Sequence, residues 1–98
     1  MTTKQRAILR SMASTLEPIL HIGKDGIGEN TVKQCWDALE ARELIKVAVL
    51  DNAPMSAREA CEQMCEKTHA EPVQVIGRRF VIYRQARKNS KIILEELC

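Results

Sequence analysis

The stretch that decides the fold is Ile22-Gly23-Lys24-Asp25-Gly26-Ile27-Gly28, a glycine-rich turn. It lies between a short apolar segment, 18–22, and a segment with helical periodicity, 29–42. Glycine has no Cβ, so Gly23 and Gly26 can adopt positive φ and let another molecule approach the backbone. The free N–H groups at the start of the following helix carry partial positive charge and point to the same place. The sequence therefore predicts a strand, a turn suited to an anion, and a helix.

The Gly-x-x-Gly spacing of this turn is a weak signal when taken alone, because most glycine-rich turns only reverse the chain. The turn lacks the spacing and the terminal Lys-Ser/Thr of a nucleotide P-loop, and its glycine order differs from the dinucleotide fingerprint. A nucleotide cofactor is therefore disfavoured. KH-type domains use the same spacing to clamp a nucleic-acid backbone. The sequence of the turn by itself is compatible with two interpretations, a simple chain reversal and a site that clamps a phosphate.

Around the turn, helical and strand patterns alternate in the order α-β-α-β-α-β-β. We predict helices at about 3–14, 29–42 and 56–68, and strands at 18–22, 44–50, 73–76 and 80–84. Alternating elements imply right-handed crossovers and parallel pairing, and a turn at Gly77-Arg78 closes one antiparallel hairpin. The predicted fold class is therefore α/β, a two-layer sandwich with a four-stranded mixed sheet.

Three details of this prediction can be checked individually. The second strand, 44–50, is nearly continuous in apolar residues, which favours a central strand with parallel partners. In the second helix, Trp36 falls on the stripe expected to be buried. In the first helix, the residues expected to face the core form one stripe, with Leu9 beside it: Ala7, Ile8, Met12 and Leu16.

Length and composition describe one ordinary globular domain of 98 residues, 45% hydrophobic and 29% charged. We expect a folded domain over 1–84 and a basic tail over 85–98. No apolar run is long enough to cross a bilayer or to form a signal peptide, so we expect a cytoplasmic protein. The spacing of the four cysteines does not match a zinc site. Cys35, Cys61 and Cys65 are expected to be buried apolar residues in a reducing compartment, and Cys98 an exposed thiol.

The charge distribution favours an anionic partner more than the net charge of +2 does. Basic residues occur without any acid in two segments, 2–16 and 72–94, whereas the acidic residues concentrate between them. Such basic ends fit a nucleic acid, although two solvated charged segments would give the same pattern.

Catalysis is disfavoured because no site can be assembled from the titratable residues. His69 lies two helical turns from Cys61, about 12 Å, which is too far for direct proton transfer. The three aromatic residues are too few to stack several bases. We therefore expect RNA contacts mainly to phosphates and sugars.

Several motifs together resemble the CRM domain family, in particular its single-domain bacterial members. They span roughly 4–84 in the family's order: Lys4-Gln5-Arg6, Leu9-Arg10, Leu16-x-Pro18, Ile22-Gly23-Lys24-x-Gly26-Ile27, Glu43-Leu44-Ile45-Lys46-Val47 and Val75-Ile76-Gly77-Arg78. The resemblance implies a fold like the C-terminal domain of translation initiation factor three. It also implies RNA binding through the Gly-x-x-Gly loop and an association with precursors of the large ribosomal subunit.

The sequence therefore leads to the hypothesis of a non-enzymatic, monomeric RNA-binding protein that assists assembly of the large ribosomal subunit and uses no cofactor or metal. The candidate RNA-binding residues are those of the loop and five basic residues that could flank it: Gly23, Lys24, Asp25 and Gly26, with Arg6, Arg10, Lys33, Arg78 and Arg79. The alternative is an adaptor that binds a protein on ribosome precursors.

Overall fold

The computed structural model describes residues 2–85, and these form three helices and four strands. In chain order they are α1 (Thr3–Ala13), β1 (Leu20–Ile22), α2 (Glu29–Arg42), β2 (Leu44–Val49), α3 (Ala57–Thr68), β3 (Glu71–Ile76) and β4 (Arg79–Tyr83). The predicted α/β class, the element order and the four-stranded mixed sheet are confirmed. Cys98 and the predicted tail beyond residue 85 lie outside the described residues.

The strands form one sheet in the order β1-β2-β4-β3. As predicted, β2 is central, and it pairs in parallel with β1. Its other neighbour, β4, is antiparallel, so the expectation of parallel partners holds on one side only. The reason is the hairpin: the chain reverses at Gly77, whose φ is 56°, and β4 then lies between β2 and β3.

The larger core lies between α2, α3 and one face of the sheet. Ile22, Val47 and Phe80 point from neighbouring strands into this core, each at most 1% exposed. Leu39 of α2 and Met64 of α3 pack against them and are fully buried. This face is therefore covered by two helices that cross back along the strands.

The opposite face of the sheet is covered by α1, and only at one end. Leu9 and Ala13 pack on Leu44, Val81 and Tyr83. Leu44 pairs with Tyr83 at the end of the sheet where β2 begins and β4 finishes, which we call the far end. The helix thus adds a partial third layer at the far end, and no other helix of residues 2–85 packs on this face.

The buried side of α1 differs from the predicted stripe. Ala7 is exposed and Met12 is 41% exposed, whereas Gln5, Leu9 and Ala13 face the sheet. Gln5 can lie on the buried side because its amide oxygen accepts a hydrogen bond from the Thr2 N–H, at 2.9 Å, and its own N–H donates to Thr2 Oγ1. The pattern of apolar residues could not show this, because the deciding position is polar.

The three cysteines among residues 2–85 are largely buried, as predicted. Cys35 and Cys61 are buried and Cys65 is half-buried, and all three are free thiols. Burial raises the pKa of the Cys35 thiol to about 12. These side chains therefore pack as small apolar groups.

Arg84 joins the end of β4 to both core helices. Its guanidinium lies 3.9 Å from the centre of the Trp36 ring and forms an ion pair with Glu40 at 2.7 Å. It also donates to the Thr68 carbonyl at the end of α3, at 3.2 Å. Trp36 is consequently half-buried under a cation, instead of fully inside the core as predicted. An arginine is needed here because only a planar, forked cation can stack and donate in several directions.

We expect Arg84→Lys to lower the free energy of unfolding by about 1–3 kcal/mol, because lysine keeps the charge but loses the stacking and the forked hydrogen bonds. Chemical denaturation followed by circular dichroism measures this change. Arg79→Lys, at the exposed start of the same strand, is the matched control and should change stability by less than about 0.5 kcal/mol. Equal denaturation midpoints for the two variants would contradict the role given to Arg84.

Candidate nucleic-acid interface

The glycine-rich turn is a tight reversal with Lys24 and Asp25 at its corners. It is closed by a hydrogen bond from the Gly26 N–H to the Gly23 carbonyl, at 3.0 Å. Gly26 has a φ of 68°, and a Cβ there would lie 3.2 Å from Cγ of Pro54. Gly26 is therefore required by the fold itself, both for its backbone conformation and for its packing.

Gly23 differs from Gly26, and the expectation of positive φ at both glycines holds for Gly26 alone. Positive φ among the glycines occurs only at Gly26 and Gly77. A Cβ on Gly23 would meet Cδ1 of Leu50 at 3.7 Å and Oδ1 of Asn52 at 3.9 Å, which are ordinary contacts. The packing of the free protein therefore does not require a glycine at position 23.

The start of α2 follows the turn without a side-chain cap. Gly28 is the N-cap residue and has no side-chain oxygen to offer the first N–H groups of the helix. The Gly28 N–H instead donates to Thr31 Oγ1, at 3.3 Å. A helix start of this kind favours an anion, since its N–H groups carry partial positive charge. Glu29 in the first turn partly offsets that charge.

The turn lies at one edge of the sheet beside two other loops. The Leu50 N–H donates to the Ile22 carbonyl at 2.8 Å, and the Val49 N–H donates to the Arg78 carbonyl at 2.7 Å. The ends of β1 and β2 and the hairpin between β3 and β4 therefore meet. We call this the loop edge, formed by residues 23–28, 50–54 and 77–78. Two strand spacings, about 10 Å, separate β1 from β4 there.

Arg78 and Arg79 both lie at the loop edge. Arg78 forms an ion pair with Asp51, and the two side chains are 66% and 87% exposed. Such an exposed pair contributes little to stability, so the Arg78 side chain can exchange partners at small cost. Arg79 is exposed at the first position of β4. The sequence could not place this hairpin relative to the turn.

The other basic candidates divide between the two ends of the molecule. Lys33 is exposed in the second turn of α2, close to the glycine turn. Arg6 and Arg10 lie on α1, which packs at the far end, about 17 Å along β2 from the loop edge. Lys33, Arg78 and Arg79 thus lie toward the same end of the sheet as the turn, whereas Arg6 and Arg10 lie on the helix that packs at the other end.

Three further side chains near these residues were absent from the sequence-based set. Lys67 lines an open groove with Ile27, Gly28, Glu29 and Val32 at the start of α2. Lys46 and His21 lie within strands and project from the sheet face that α1 leaves partly uncovered. Lys46 had a signal in the sequence, since it is the one charged residue of the apolar segment 44–50.

Other kinds of site find little support in the described part of the chain. Residues 2–85 contain no group of three or more His, Cys, Asp or Glu side chains that could hold a metal ion. Within the same residues, no helix combines the length and apolar character needed to span a bilayer.

Comparison with known proteins gives one consistent family. The CRS1/YhbY (CRM) domain model matches residues 1–84. YqeI of Bacillus subtilis, named a probable RNA-binding protein, is 42% identical over 94 residues, which cover 96% of this chain and 98% of YqeI. An RNA-binding protein of Haemophilus influenzae is 31% identical over 88 residues, which cover 90% of this chain and 89% of the relative.

A solved structure agrees with this assignment. The solution structure of SAV1595 from Staphylococcus aureus, a candidate RNA-binding protein, superposes with a TM-score of 0.79 and 49% sequence identity. The match covers 95% of this chain and 97% of SAV1595. The family resemblance predicted from the sequence motifs is confirmed, and the chain belongs to the CRS1/YhbY (CRM) domain family.

Proposed function

We propose that this protein binds RNA without catalysing a reaction, and that the turn 23–26 holds the RNA backbone. The observation that carries the proposal is Gly23, which the free fold does not require, beside the uncapped start of α2. A phosphate could approach the bare backbone at Gly23, with Lys24 at the tip of the turn and Lys33 and Arg79 nearby. The names of the relatives as RNA-binding proteins support the same function.

Contacts to the RNA backbone should dominate over base stacking at this site. Phe80 and Tyr83 are only 1% and 3% exposed, and the Trp36 ring is covered on one side by Arg84. None of these aromatic rings offers an open face at the loop edge. The affinity should therefore be mainly electrostatic and should fall steeply with salt concentration.

We also propose that the RNA is ribosomal RNA in precursors of the large subunit, and that the protein acts in the cytoplasm as a monomeric assembly factor. This part of the proposal rests on the resemblance to bacterial members of the family. The alternative, a protein adaptor on the same precursors, predicts contacts that survive removal of the RNA.

The two glycines of the turn should respond differently to the same small change. We expect Gly26→Ala to lower the free energy of unfolding by about 1–2 kcal/mol, because alanine is strained at positive φ. Gly23→Ala should leave stability within about 0.5 kcal/mol of the wild type, since its Cβ makes only ordinary contacts. Thermal or urea denaturation of both variants checks this. Equal losses of stability in the two variants would contradict the claim that the fold requires a glycine at position 26 but not at position 23.

Variants at Gly23 and Lys24 test the proposed binding site without disturbing the fold. Gly23→Asp places a carboxylate where a phosphate should lie, and we expect RNA affinity to fall by more than about tenfold. Lys24→Gln removes one phosphate contact and should weaken binding to all RNAs similarly. Filter binding with single-stranded and structured RNAs measures both effects.

Lys4→Gln is the matched control for Lys24→Gln, because Lys4 is exposed on α1 at the far end. It makes the same change in net charge and should leave affinity nearly unchanged. Native circular dichroism establishes that each variant is folded. A folded Gly23→Asp variant that binds RNA like the wild type would exclude the turn as the binding site.

Association with ribosome precursors can be tested by sedimentation of a cell extract. We expect the protein to sediment with precursors of the large subunit, and ribonuclease treatment should release it. The Gly23→Asp variant should stay at the top of the gradient. Continued association with the same proteins after ribonuclease treatment would favour the adaptor instead, and free sedimentation of the wild type would exclude both roles.

A further inference from the structure

Among residues 2–85, nothing packs over the half of the α1-side sheet face that lies next to the loop edge. Residues paired across neighbouring strands project to the same face, so the register shows which side chains share it. Lys46 pairs with Val81, and Val81 with Gln74. Val81 belongs to the small core under α1, so Lys46 and Gln74 also project to the α1 side of the sheet.

The next row toward the loop edge continues the same face. His21 pairs with Ala48, Ala48 with Arg79, and Arg79 with Ile76. His21 and Arg79 are exposed, and Ile76 is 62% exposed. We call the surface made by these two rows the open sheet face: His21, Lys46, Gln74, Ile76, Arg79 and Val81.

The charge on the open sheet face has a single sign. Lys46 and Arg79 contribute two cations, and no acidic residue occupies any position of the two rows. Among residues 2–85, neither Lys46 nor Arg79 takes part in an ion pair. Two unneutralised cations on one sheet face fit an anionic polymer.

A shallow pocket lies between these two cations. It has a volume of about 130 Å³ and is lined by Lys46, Gln74, Ile76, Arg79 and Val81. The exposed aliphatic side chain of Ile76 offers an apolar surface to a flat ring, and the buried side chain of Val81 also lines the pocket. The Gln74 amide can both donate to and accept from a base edge. The pocket therefore combines the three kinds of contact that an unpaired nucleotide needs.

The open sheet face is continuous with the loop edge. Lys46 lies three residues before Val49, about 10 Å along β2, and Arg79 directly follows the hairpin residue Arg78. A single-stranded RNA held at the glycine turn could therefore continue onto this face without crossing α1.

We propose that single-stranded RNA extends from the loop edge across the open sheet face, with phosphates on Lys46 and Arg79 and one base in the pocket beside Gln74. This inference rests on the proposed RNA binding at the turn and adds a second contact region to it. It also adds a base preference that the turn alone would not give.

A second copy of the chain is the competing occupant, since Ile76 is an exposed apolar residue. A two-fold contact through this face would bring the same patch of each copy together. Lys46 and Arg79 would then face cations of like sign, which disfavours the contact. The charge therefore favours RNA over self-association.

Lys46→Gln tests the phosphate contact, with Lys4→Gln as the matched control. We expect Lys46→Gln to weaken binding of a single-stranded oligonucleotide by about three- to tenfold and to flatten the slope of log affinity against log salt by about 0.7. Lys4→Gln should change neither. Gln74→Leu keeps the charge and approximate size, and it should reduce the wild-type differences in affinity among the four homopolymers.

The outcomes separate this inference from the function proposed at the turn. If Gly23→Asp loses RNA binding while Lys46→Gln behaves like Lys4→Gln, the open sheet face is not a contact region, although the turn is. If the wild type binds no RNA at all, both proposals fail. Wild-type homopolymer preferences that Gln74→Leu leaves intact would exclude the base pocket. A dimer by light scattering that Ile76→Glu disrupts would assign the face to a second copy instead.

Discussion

The arrangement of the molecule depends on the two different neighbours of β2. This strand pairs in parallel with β1 and antiparallel with β4. The carboxyl ends of β1 and β2 and the beginning of β4 are therefore forced to the same edge. If β4 instead ran parallel to β2, the hairpin turn that precedes β4 would lie at the far end. The meeting of the glycine turn, the 50–54 segment and the Arg78–Arg79 pair follows from strand direction alone, before any side chain contributes.

The local structure could be predicted well, because it depends on short-range chemistry. The bounds of α2, 29–42, agree with its apolar periodicity. The predicted helix at 56–68 agrees with α3, for which Ser56 is the N-cap residue and its hydroxyl accepts the Glu59 N–H. The buried side of α1 could not be predicted, since it depends on the capping role of the polar residue Gln5. The position of the hairpin beside the turn could not be predicted either. It depends on how strands distant in the sequence pair, and turn residues carry no information about that pairing.

For the candidate site, the sequence indicates which residue types are suited to RNA binding, but not which of them lie at the same end of the molecule. The turn and its lysine were recognisable because glycine spacing has a direct backbone meaning. Arg6 and Arg10 looked equivalent to Arg79 as basic residues, yet they lie at the other end of the sheet. Lys46 was overlooked because it is placed by strand alternation in an otherwise apolar segment. The two glycines of the motif also differ in what the fold requires of them: Gly26 needs positive φ and a missing Cβ, whereas a Cβ at Gly23 would make only ordinary contacts.

The position of Arg84 also bears on where the molecule can be attached to a surface. Arg84 sits at the end of β4, and its N–H donates to the Glu43 carbonyl at 2.9 Å, so the described chain leaves the domain at the far end. The helix α1, which follows Thr2, packs at that end as well. The first and last residues that the structure describes, 2 and 85, therefore both lie away from the glycine turn. An anchor placed at either of these two residues, as in a surface-immobilised assay, would leave the loop edge facing the solution.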